Sequence, residues 1–581
     1  MANRRKNSVK KTNLVQLILG LVIIVLVNII SSFVFTRFDL TSEKRYSLSD
    51  ATKGLLKELD DIVYFKVYLD GEFPAGFKRL RRETKEMLDE FRAYNKNIQY
   101  EFINPSESED LTTRNSIYQQ LINKGLNPTD LQVKNKGGIS KQIIFPGAVV
   151  SYKGKELPLQ LLISQIGVPP EAVLNNSIQG LEFNIANTIR KLTIKSKPQI
   201  AFILGHGELS EIDVYDITQS LKEYYKVERI RIDGQISSLT KRSKPDTGAV
   251  RVTNKFEAII IAKPDSAFSD KDKFIIDQYV MHGGRVLWLV DPVFASMDSL
   301  QKYTETIGIA NDLRLDDLLF KYGVRLNNDL IMDLNSLPIP LLVGHIGDQP
   351  QFEFFRWYFF PVITPLQDHP IIKNLNAIKT EFVSSIDTVM QGNIKKTVLL
   401  SSSPYSRTVN SPVLISLQIL KEKPDERLYQ GPEKMLAVLL EGEFESIYTH
   451  IIPPEIAKDK AIDFHEKSPP NKMIIISDGD VIRNQLHISN GYPLPLGYDQ
   501  YTRETFGNKE LIMNAMSYLC DDSGLISIRS RELKLRLLDK TKISSNKLKL
   551  QLLNILLPIV LIIIFGLIYS RLRRNKHARH V

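Results

Sequence analysis

The chain has 581 residues, with 76 Lys and Arg against 66 Asp and Glu, and a single cysteine, Cys520. Two terminal tails, 1–13 and 571–581, hold ten of the basic residues and no acidic one, so the intervening chain has no net charge. This distribution excludes a basic nucleic-acid-binding face, and one cysteine excludes an intramolecular disulfide. The length predicts two to four domains rather than one core.

The N-terminal tail, 1–13, precedes an apolar run that predicts a transmembrane helix over 14–36. A secretory signal peptide is the alternative interpretation, but the run is longer than a usual signal peptide and no small-residue cleavage site follows it. The basic residues in front of the run place the N-terminus in the cytoplasm.

Residues 38–196 predict a periplasmic α/β domain. A helix begins near Ser47 or Ser49, and a β-α-β unit, a further helix, a β-hairpin and a last helix follow. The predicted bounds are helices 45–59, 76–94, 113–124 and 175–193 and strands 62–69, 98–103, 143–152 and 156–162. A parallel pair with helices and an antiparallel hairpin is typical of a thioredoxin-like domain, although no Cys-x-x-Cys is present.

Residues 197–522 predict a second domain, in which continuous apolar strands alternate with helices. Strands that are apolar throughout are buried on both faces, which indicates a parallel, doubly wound sheet. The predicted strands are 199–204, 227–232, 257–262, 285–290, 397–402, 436–440 and 473–477, with helices over 270–281 and 510–519. Residues 338–392 have little regular pattern and are interpreted as an insertion.

After a basic connector, 523–551, an uncharged apolar run predicts a second transmembrane helix over 552–570, followed by the tail 571–581. A buried soluble helix is disfavoured because this run has no polar face. Two spans return the C-terminus to the cytoplasm. Asn554 and Gly566 on the second span are candidates for contact with another membrane helix.

His206 and Glu208 lie in a Gly-His-Gly-Glu turn directly after the strand 199–204, where open α/β sheets bind ligands. They are either ligand contacts, or a catalytic pair, or a tight turn whose side chains cap the next helix. The tight turn is favoured because catalysis needs a third positioned group. Asp291 and Asp478, which also follow strands, are further candidate ligand contacts.

Metal chemistry is not predicted. The best trio is His206, Glu208 and His282, but their spacing matches no metal-binding motif. Asp478-Gly479-Asp480 starts like a calcium loop, yet the following ligand positions are apolar or basic, so a turn is predicted instead.

The sequence also lacks the motifs of nucleotide hydrolysis and of nucleophilic catalysis. No phosphate-binding Gly-x-x-x-x-Gly-Lys-Ser/Thr and no Gly-x-Ser-x-Gly occur, and Cys520 lies beside two aspartates that oppose formation of a thiolate. We therefore expect no enzyme and no cofactor. Phe354, Trp357 and Tyr358 in an aromatic run are either core residues or part of a partner interface.

The ordered set of segments resembles one known family. After the basic tail and the first span it comprises YSLSDATKGLL, FILGHGE, GGRVLWLVDP, DHPIIKNL, IISDGDVI and GNKELIMNAMSYL, before the second span and its Arg-rich tail. This order is similar to that of the gliding-motility-associated ABC transporter auxiliary proteins, the GldG type of the Bacteroidetes, and it covers nearly the whole chain.

The resemblance implies a bacterial inner-membrane subunit whose periplasmic part works with an ABC permease and, through it, a cytoplasmic ATPase. It also implies a second domain similar to class I glutamine amidotransferases, but without their nucleophilic cysteine. A non-catalytic scaffold or binding role follows, in contact with membrane lipid and other periplasmic proteins. A solute-binding receptor, or a hydrolase that uses His206 and Glu208, is the alternative.

Overall fold

A computed structural model describes residues 14–28, 47–135, 138–194, 196–243, 251–347, 349–390, 392–421, 423–459, 461–521, 524–530 and 540–577. The described residues form two compact units, one holding the residues up to Ser530 and the other the C-terminal helix.

The first part of the chain is a mixed α/β region. Its helices are α1 (Leu14–Asn28), α2 (Asp50–Lys57), α3 (Ala75–Tyr94), α4 (Leu111–Asn123), α5 (Pro170–Gln179) and α6 (Leu181–Thr193). Its strands are β1 (Val63–Val67), β2 (Ile98–Phe102), β3 (Thr129–Asn135), β4 (Gly138–Ile144), β5 (Gly147–Tyr152) and β6 (Lys155–Gln160).

A four-stranded sheet of order β2-β1-β5-β6 organises this region. β1 and β2 are parallel, as expected for a β-α-β unit, whereas β5 runs antiparallel to both β1 and β6. Ser49 is the N-cap of α2 and accepts a hydrogen bond from the backbone N–H of Thr52. Two predicted bounds are corrected. Residues 143 and 144 end β4, which pairs with β3, and the predicted helix 175–193 is two helices that meet at Gly180.

The second part contains the remaining strands. They are β7 (Gln199–Leu204), β8 (Lys226–Arg231), β9 (Thr240–Ser243), β10 (Arg251–Asn254), β11 (Ala258–Ala262), β12 (Arg285–Leu289), β13 (Val293–Phe294), β14 (Glu305–Ala310), β15 (Val324–Leu326), β16 (Asp329–Asp333), β17 (Ser336–Ile346), β18 (Gln349–Ile363), β19 (Ile378–Lys379), β20 (Ile386–Thr388), β21 (Lys395–Ser401), β22 (Ser406–Asn410), β23 (Val413–Ser416), β24 (Met435–Gly442), β25 (Asn471–Ile476), β26 (Tyr498–Asp499) and β27 (Glu504–Thr505).

The helices of this part are α7 (Tyr215–Lys222), α8 (Asp270–Met281), α9 (Met297–Lys302), α10 (Asp316–Tyr322), α11 (Pro454–Ala457) and α12 (Asn508–Cys520), with 3₁₀ turns η1 (Leu417–Leu420), η2 (Glu426–Tyr429), η3 (Asp480–Ile482) and η4 (Leu525–Ser530). η4 lies in the predicted connector, but its Leu525 and Ile528 pack into the core of the first sheet. This part of the connector is therefore folded.

A nine-stranded sheet forms the centre of the second part. Its path is β15-β20-β24-β25-β12-β11-β7-β8, and β21 pairs with β24 off this path. The five strands β8, β7, β11, β12 and β25 are parallel to one another, as the continuous apolar segments predict. In chain order they follow the doubly wound order 2-1-3-4-5, whose switch point lies between β7 and β11. Hydrophobic cores cover both faces of β7, β11, β12 and β25, whereas β8 at the edge of the sheet is partly exposed.

Two features differ from the sequence prediction. β24 and β21 are antiparallel to their neighbours, so the sheet is mixed rather than parallel throughout. The irregular segment 338–392 contains a long hairpin, in which β17 has 11 residues and β18 has 15. Prolines within these strands hid the pattern, because proline usually interrupts a strand. Proline is accepted in edge strands and at bulges, and among the described residues β17 pairs only with β18.

The second unit is a single helix, α13 (Lys540–His577). Among the described residues, its segment Ser545–Leu572 is the one that is long and apolar enough to cross a membrane. The helix begins within the predicted connector, 12 residues before the predicted span. α1 is apolar but shorter, with 15 residues, and the rest of the first predicted span lies outside the described residues.

Candidate functional site at the carboxyl edge of the parallel strands

The carboxyl ends of four parallel strands bring the predicted ligand contacts to one edge of the sheet. His206 follows β7, Asp291 follows β12 and Asp478 follows β25. Lys263, which sequence reasoning did not single out, follows β11 between them. The edge divides into two clusters, one around Lys263 and one around His206, joined by the turn after β11.

The first cluster, the lysine–aspartate cluster, consists of Lys263, Asp291, Asp478 and Asp480. Lys263 Nζ lies 3.1 Å from Asp291 Oδ2 and forms a shorter ion pair with Asp480 Oδ2. Asp478 is fully buried, and its carboxylate accepts hydrogen bonds from the backbone N–H groups of Asp480, at 2.7 Å, and Glu381, at 2.8 Å. The predicted Asp478 turn is therefore confirmed.

Three carboxyl groups share this cluster with one ammonium group, and the pKa values of Asp291, Asp478 and Lys263 are shifted. Burial raises the pKa of Asp478 well above its usual range, and the charges of Asp291 and Asp480 add to the effect. Burial also raises the pKa of Asp291. For Lys263, burial by itself lowers the pKa, but the charges of Asp480 and Asp291 outweigh it and raise the pKa. Lys263 therefore stays cationic and holds the acidic groups together.

The backbone is adapted to this close approach. Lys263 has a φ of 52°, in the left-handed region that non-glycine residues rarely adopt. Gly479 allows the contact, since a Cβ atom built there would lie 2.4 Å from Lys263 Cβ. The backbone N–H of Gly479 donates to Asp291 Oδ1 at 2.5 Å. These contacts fix the loops after β11, β12 and β25 to one another. The ammonium group of Lys263 is already bound by the protein's own carboxylates.

The second cluster surrounds the buried imidazole of His206. Its Nδ1 lies 3.1 Å from Glu208 Oε1, and its Nε2 lies 3.3 Å from Asp272 Oδ2 at the start of α8. The ring stacks on Phe268 with centroids 3.7 Å apart. Gly205 and Gly207 both have positive φ, as the predicted tight turn requires. The side chains do not cap the next helix, however. Val214 is the N-cap of α7, and His206 instead joins the turn to α8.

This geometry opposes a catalytic role for His206. Burial alone lowers its pKa, but the hydrogen bonds and charges of Glu208 and Asp272 outweigh burial and raise the pKa. The imidazolium form is favoured, with both ring nitrogens donating to carboxylates, so neither nitrogen has a free lone pair to act as a general base. The arrangement stabilises the turn at the switch point.

The predicted metal trio is not assembled. His206 contacts the first turn of α8, whereas His282 is the C-cap of the same helix. Twelve helical residues separate these ends by about 18 Å. His206, Glu208 and His282 therefore cannot share one ion.

The predicted interface residues of β18 differ in exposure. Trp357 is 0% exposed and packs in the core of the hairpin region together with Tyr358, so neither is available to a partner. This corrects the prediction for these two residues. Phe354 is 52% exposed, and the neighbouring Phe352 is exposed as well. For Phe354 the interface stays a prediction.

Asn554 and Gly566 both lie on α13. They are 12 residues apart, which corresponds to about 18 Å along the helix and about 120° around it. The two residues therefore point in different directions, and contacts with a single neighbouring helix would not involve both equally.

Comparison with known proteins assigns the second part of the chain. A family model described as "ABC-type uncharacterized transport system", of the auxiliary type, matches residues 197–515, which is more than half of the chain. A model for a domain of unknown function matches residues 42–151.

An uncharacterized protein of Borreliella burgdorferi (strain ATCC 35210) is 22% identical over 575 residues, covering 97% of this chain and 99% of that protein. Among solved structures, the N-terminal domain of mmIFT52 aligns with 56% of this chain and 98% of its own, at 12% identity and a TM-score of 0.31. At that score the likeness supports no conclusion. From the match over residues 197–515, the chain belongs to the auxiliary family of ABC-type uncharacterized transport systems.

Proposed function

We propose that the chain is a non-catalytic, membrane-anchored subunit of an ABC transporter complex, acting as a scaffold or binding component beside a separate permease and a cytoplasmic ATPase. The observation that carries the proposal is the combination of the family match over residues 197–515 with the apolar helix segment Ser545–Leu572. Two membrane spans are too few to enclose a transport path. The path and the energy source would belong to other subunits.

The proposed location, membrane topology and subfamily are supported by the sequence. The basic tails and the two apolar runs support an inner-membrane location with both termini in the cytoplasm and residues 38–551 in the periplasm. The ordered segments support the GldG type and a role in gliding motility. The order β2-β1-β5-β6 supports a thioredoxin-like first domain, and the order 2-1-3-4-5 supports an amidotransferase-like second domain.

The non-catalytic part of the proposal rests on the two clusters. Lys263 is held by carboxylates, both ring nitrogens of His206 face carboxylates, and Cys520 lies at the end of α12 rather than at a strand-to-helix turn. The hydrolase alternative needs His206 to accept a proton, which these contacts oppose.

The contact with the permease would include α13. In lipid, a side-chain amide such as that of Asn554 gains by bonding to another helix, and Gly566 allows close packing. Apart from the helix's own neighbouring backbone, no atom of the described residues lies within 4 Å of a Cβ atom built at Gly566. These two positions on different sides of α13 would contact different neighbouring helices.

Affinity purification from membranes in mild detergent, followed by mass spectrometry, tests the proposal. The full chain should retain a multi-span permease and an ABC ATPase, and deletion of residues 540–581 should remove both. Replacing Asn554 by Leu should weaken the association by about 1 kcal/mol. Equal recovery of these partners with the truncated chain, or recovery of neither with the full chain, contradicts the proposal.

A solute-binding receptor is the second candidate, favoured by the position of the clusters at the switch point of the sheet. The test is thermal unfolding of the full chain in detergent with sugars and peptides. A ligand at 100 times its dissociation constant adds about 2.7 kcal/mol to the stability. A reproducible increase in the unfolding temperature that Lys263→Met removes would support the receptor; unchanged unfolding throughout would favour the scaffold.

A further inference from the structure

At the end of α8 opposite to His206, three metal-ligating side chains come together from distant parts of the sequence. His282 is the C-cap of α8, while Asp463 and His465 belong to the loop that precedes β25. One ligand atom from each residue lies within 4.8 Å of the others. We infer that His282, Asp463 and His465 form a binding site for a borderline divalent cation such as Zn²⁺.

The distances from the two histidine rings to the Asp463 carboxylate are close to the separation between two ligands of a tetrahedral ion. His282 Nε2 lies 3.4 Å from Asp463 Oδ2, and His465 Nε2 lies 3.7 Å from Asp463 Oδ1. Two ligands of a tetrahedral Zn²⁺, each about 2.0 to 2.1 Å from the metal, are about 3.4 Å apart. A set of two imidazoles and one carboxylate is also a donor set that Zn²⁺ accepts, whereas Mg²⁺ and Ca²⁺ prefer oxygen ligands.

The hydrogen bonds orient His282 for this role. Its Nδ1 lies 2.7 Å from the carbonyl oxygen of Gln278, which can only accept, so Nδ1 carries a proton. In the neutral ring, the lone pair is then on Nε2 and points at the Asp463 carboxylate, an unfavourable contact between two acceptors. A cation between the two groups converts this contact into two ligand bonds. Metal-binding histidines typically donate their other ring N–H to a carbonyl in this way.

The loop that supplies the other two ligands is fixed to α8 by a second set of contacts. The buried amide of Gln278 donates to the carbonyl of His465 at 3.1 Å and accepts from the backbone N–H of His465 at 2.9 Å. The rings of His465 and His282 stack with centroids 4.2 Å apart. These contacts hold the loop at the end of α8, and ion binding would require the exposed His465 ring to turn out of the stack so that both ring nitrogens point at one ion.

The site would have one open position. His465 is the exposed member of the group, with 46% of its side chain accessible, so a fourth ligand would come from solvent. The ion would link the loop 461–466 to the C-terminal end of α8, a connection that is independent of the proposed transporter role. It would stabilise this edge of the second part of the chain.

Zinc titration of the full chain tests the inference. The protein is purified in detergent without a histidine tag, stripped with a chelator and titrated calorimetrically with Zn²⁺, and with Mg²⁺ as the comparison metal. Asp463→Asn and His465→Ala are the test variants. Asp463 has a φ of 54°, which asparagine also accepts, and His465 is exposed, so neither change should disturb the fold. His450→Ala, at an exposed histidine outside the group, is the matched control.

The reference chain and His450→Ala should bind about one Zn²⁺ and unfold at a higher temperature when it is present, because a ligand of the folded state stabilises it. Both test variants should bind Zn²⁺ at least about tenfold more weakly and lose this increase, while their unfolding without metal stays unchanged. Because the tail also contains histidines, His577→Ala/His580→Ala should retain the site. Zn²⁺ binding that Asp463→Asn and His465→Ala leave intact, or no binding by the reference chain, overturns the inference.

Discussion

Replacing Lys263 by Met tests whether the lysine–aspartate cluster stabilises the second part of the chain. The variant keeps the length of the side chain but removes its charge, leaving Asp291 and Asp480 without their cation. Removing one partner from a buried ion pair costs about 3 to 5 kcal/mol. Because 21% of the Lys263 side chain is exposed, we expect the lower end, about 3 kcal/mol, as a loss in the free energy of unfolding.

The pH dependence of the stability loss caused by Lys263→Met gives a sharper test. The pKa of Asp478 and that of Asp291 are raised in the folded protein, so these groups bind protons more readily folded than unfolded. Their contribution to stability is present below the unfolded pKa and is lost as pH rises through the folded pKa. The charge of Lys263 lowers the pKa of both aspartates, so its removal raises these pKa values further. The penalty of Lys263→Met should therefore be largest near neutral pH and decrease toward about pH 4.5.

Urea unfolding of the full chain, followed by tryptophan fluorescence, measures this loss. The chain has two tryptophans, and Trp288 lies on β12 in the same sheet, so a Trp357→Phe background makes the signal specific. Lys271→Met, at an exposed lysine on α8, is the matched control and should change stability by less than about 0.5 kcal/mol. If Lys263→Met and Lys271→Met unfold alike at neutral pH, the ion pairs of Lys263 do not stabilise the fold.

Three further changes test other parts of the structure. Trp357→Ala should destabilise the hairpin region by about 3 to 5 kcal/mol and Phe354→Ala by less than about 0.5, measured by urea unfolding; similar losses would contradict their assigned exposures. The raised pKa of His206 contributes stability that is present below about pH 6.5 and is lost as pH rises through its folded pKa. The stability difference between the reference chain and His206→Gln should therefore shrink as pH rises above about 6.5, and a constant difference refutes the charged contact. Gly479→Ala should lower the unfolding temperature, because its added methyl group overlaps Lys263, and an unchanged temperature contradicts that packing.

The central strands could be predicted because each one contains several consecutive apolar residues. β7, β11, β12 and β25 lie in the middle of a sheet that is covered on both faces, so each contains a continuous apolar run. The glycines of the turn after β7 were informative for a similar reason, since only glycine accepts their backbone angles easily. In these strands and in this turn, the residue types of a short segment are enough to indicate its structure.

The β17–β18 hairpin and the exposure of its aromatic residues could not be predicted in the same way. Its prolines resemble breaks in regular structure, yet the strands lie outside the main sheet, where proline is accepted. Trp357 is buried and Phe354 exposed because one end of β18 packs against the body of the domain and the other extends away from it. Nothing in an aromatic run indicates which end that is.

The lysine–aspartate cluster and the proposed metal site each join segments that are distant in the sequence. Lys263 and Asp480 are 217 residues apart, and His282 and Asp463 are 181 apart. Asp291 and Asp478 could be identified because they follow apolar strands. Lys263 follows such a strand as well, but a lone lysine after a strand is an ordinary surface residue unless the topology places acidic side chains beside it. For His465, no spacing motif within the chain connects it to His282.

Size-exclusion chromatography of the affinity-purified full chain in mild detergent, with quantitative mass spectrometry across the peak, tests the central claim most directly. If the chain is an auxiliary ABC transporter subunit, a multi-span permease and an ABC ATPase should co-elute with it in a constant ratio through one peak. A peak that contains the chain alone, with permease and ATPase at background level in every fraction, would contradict the account.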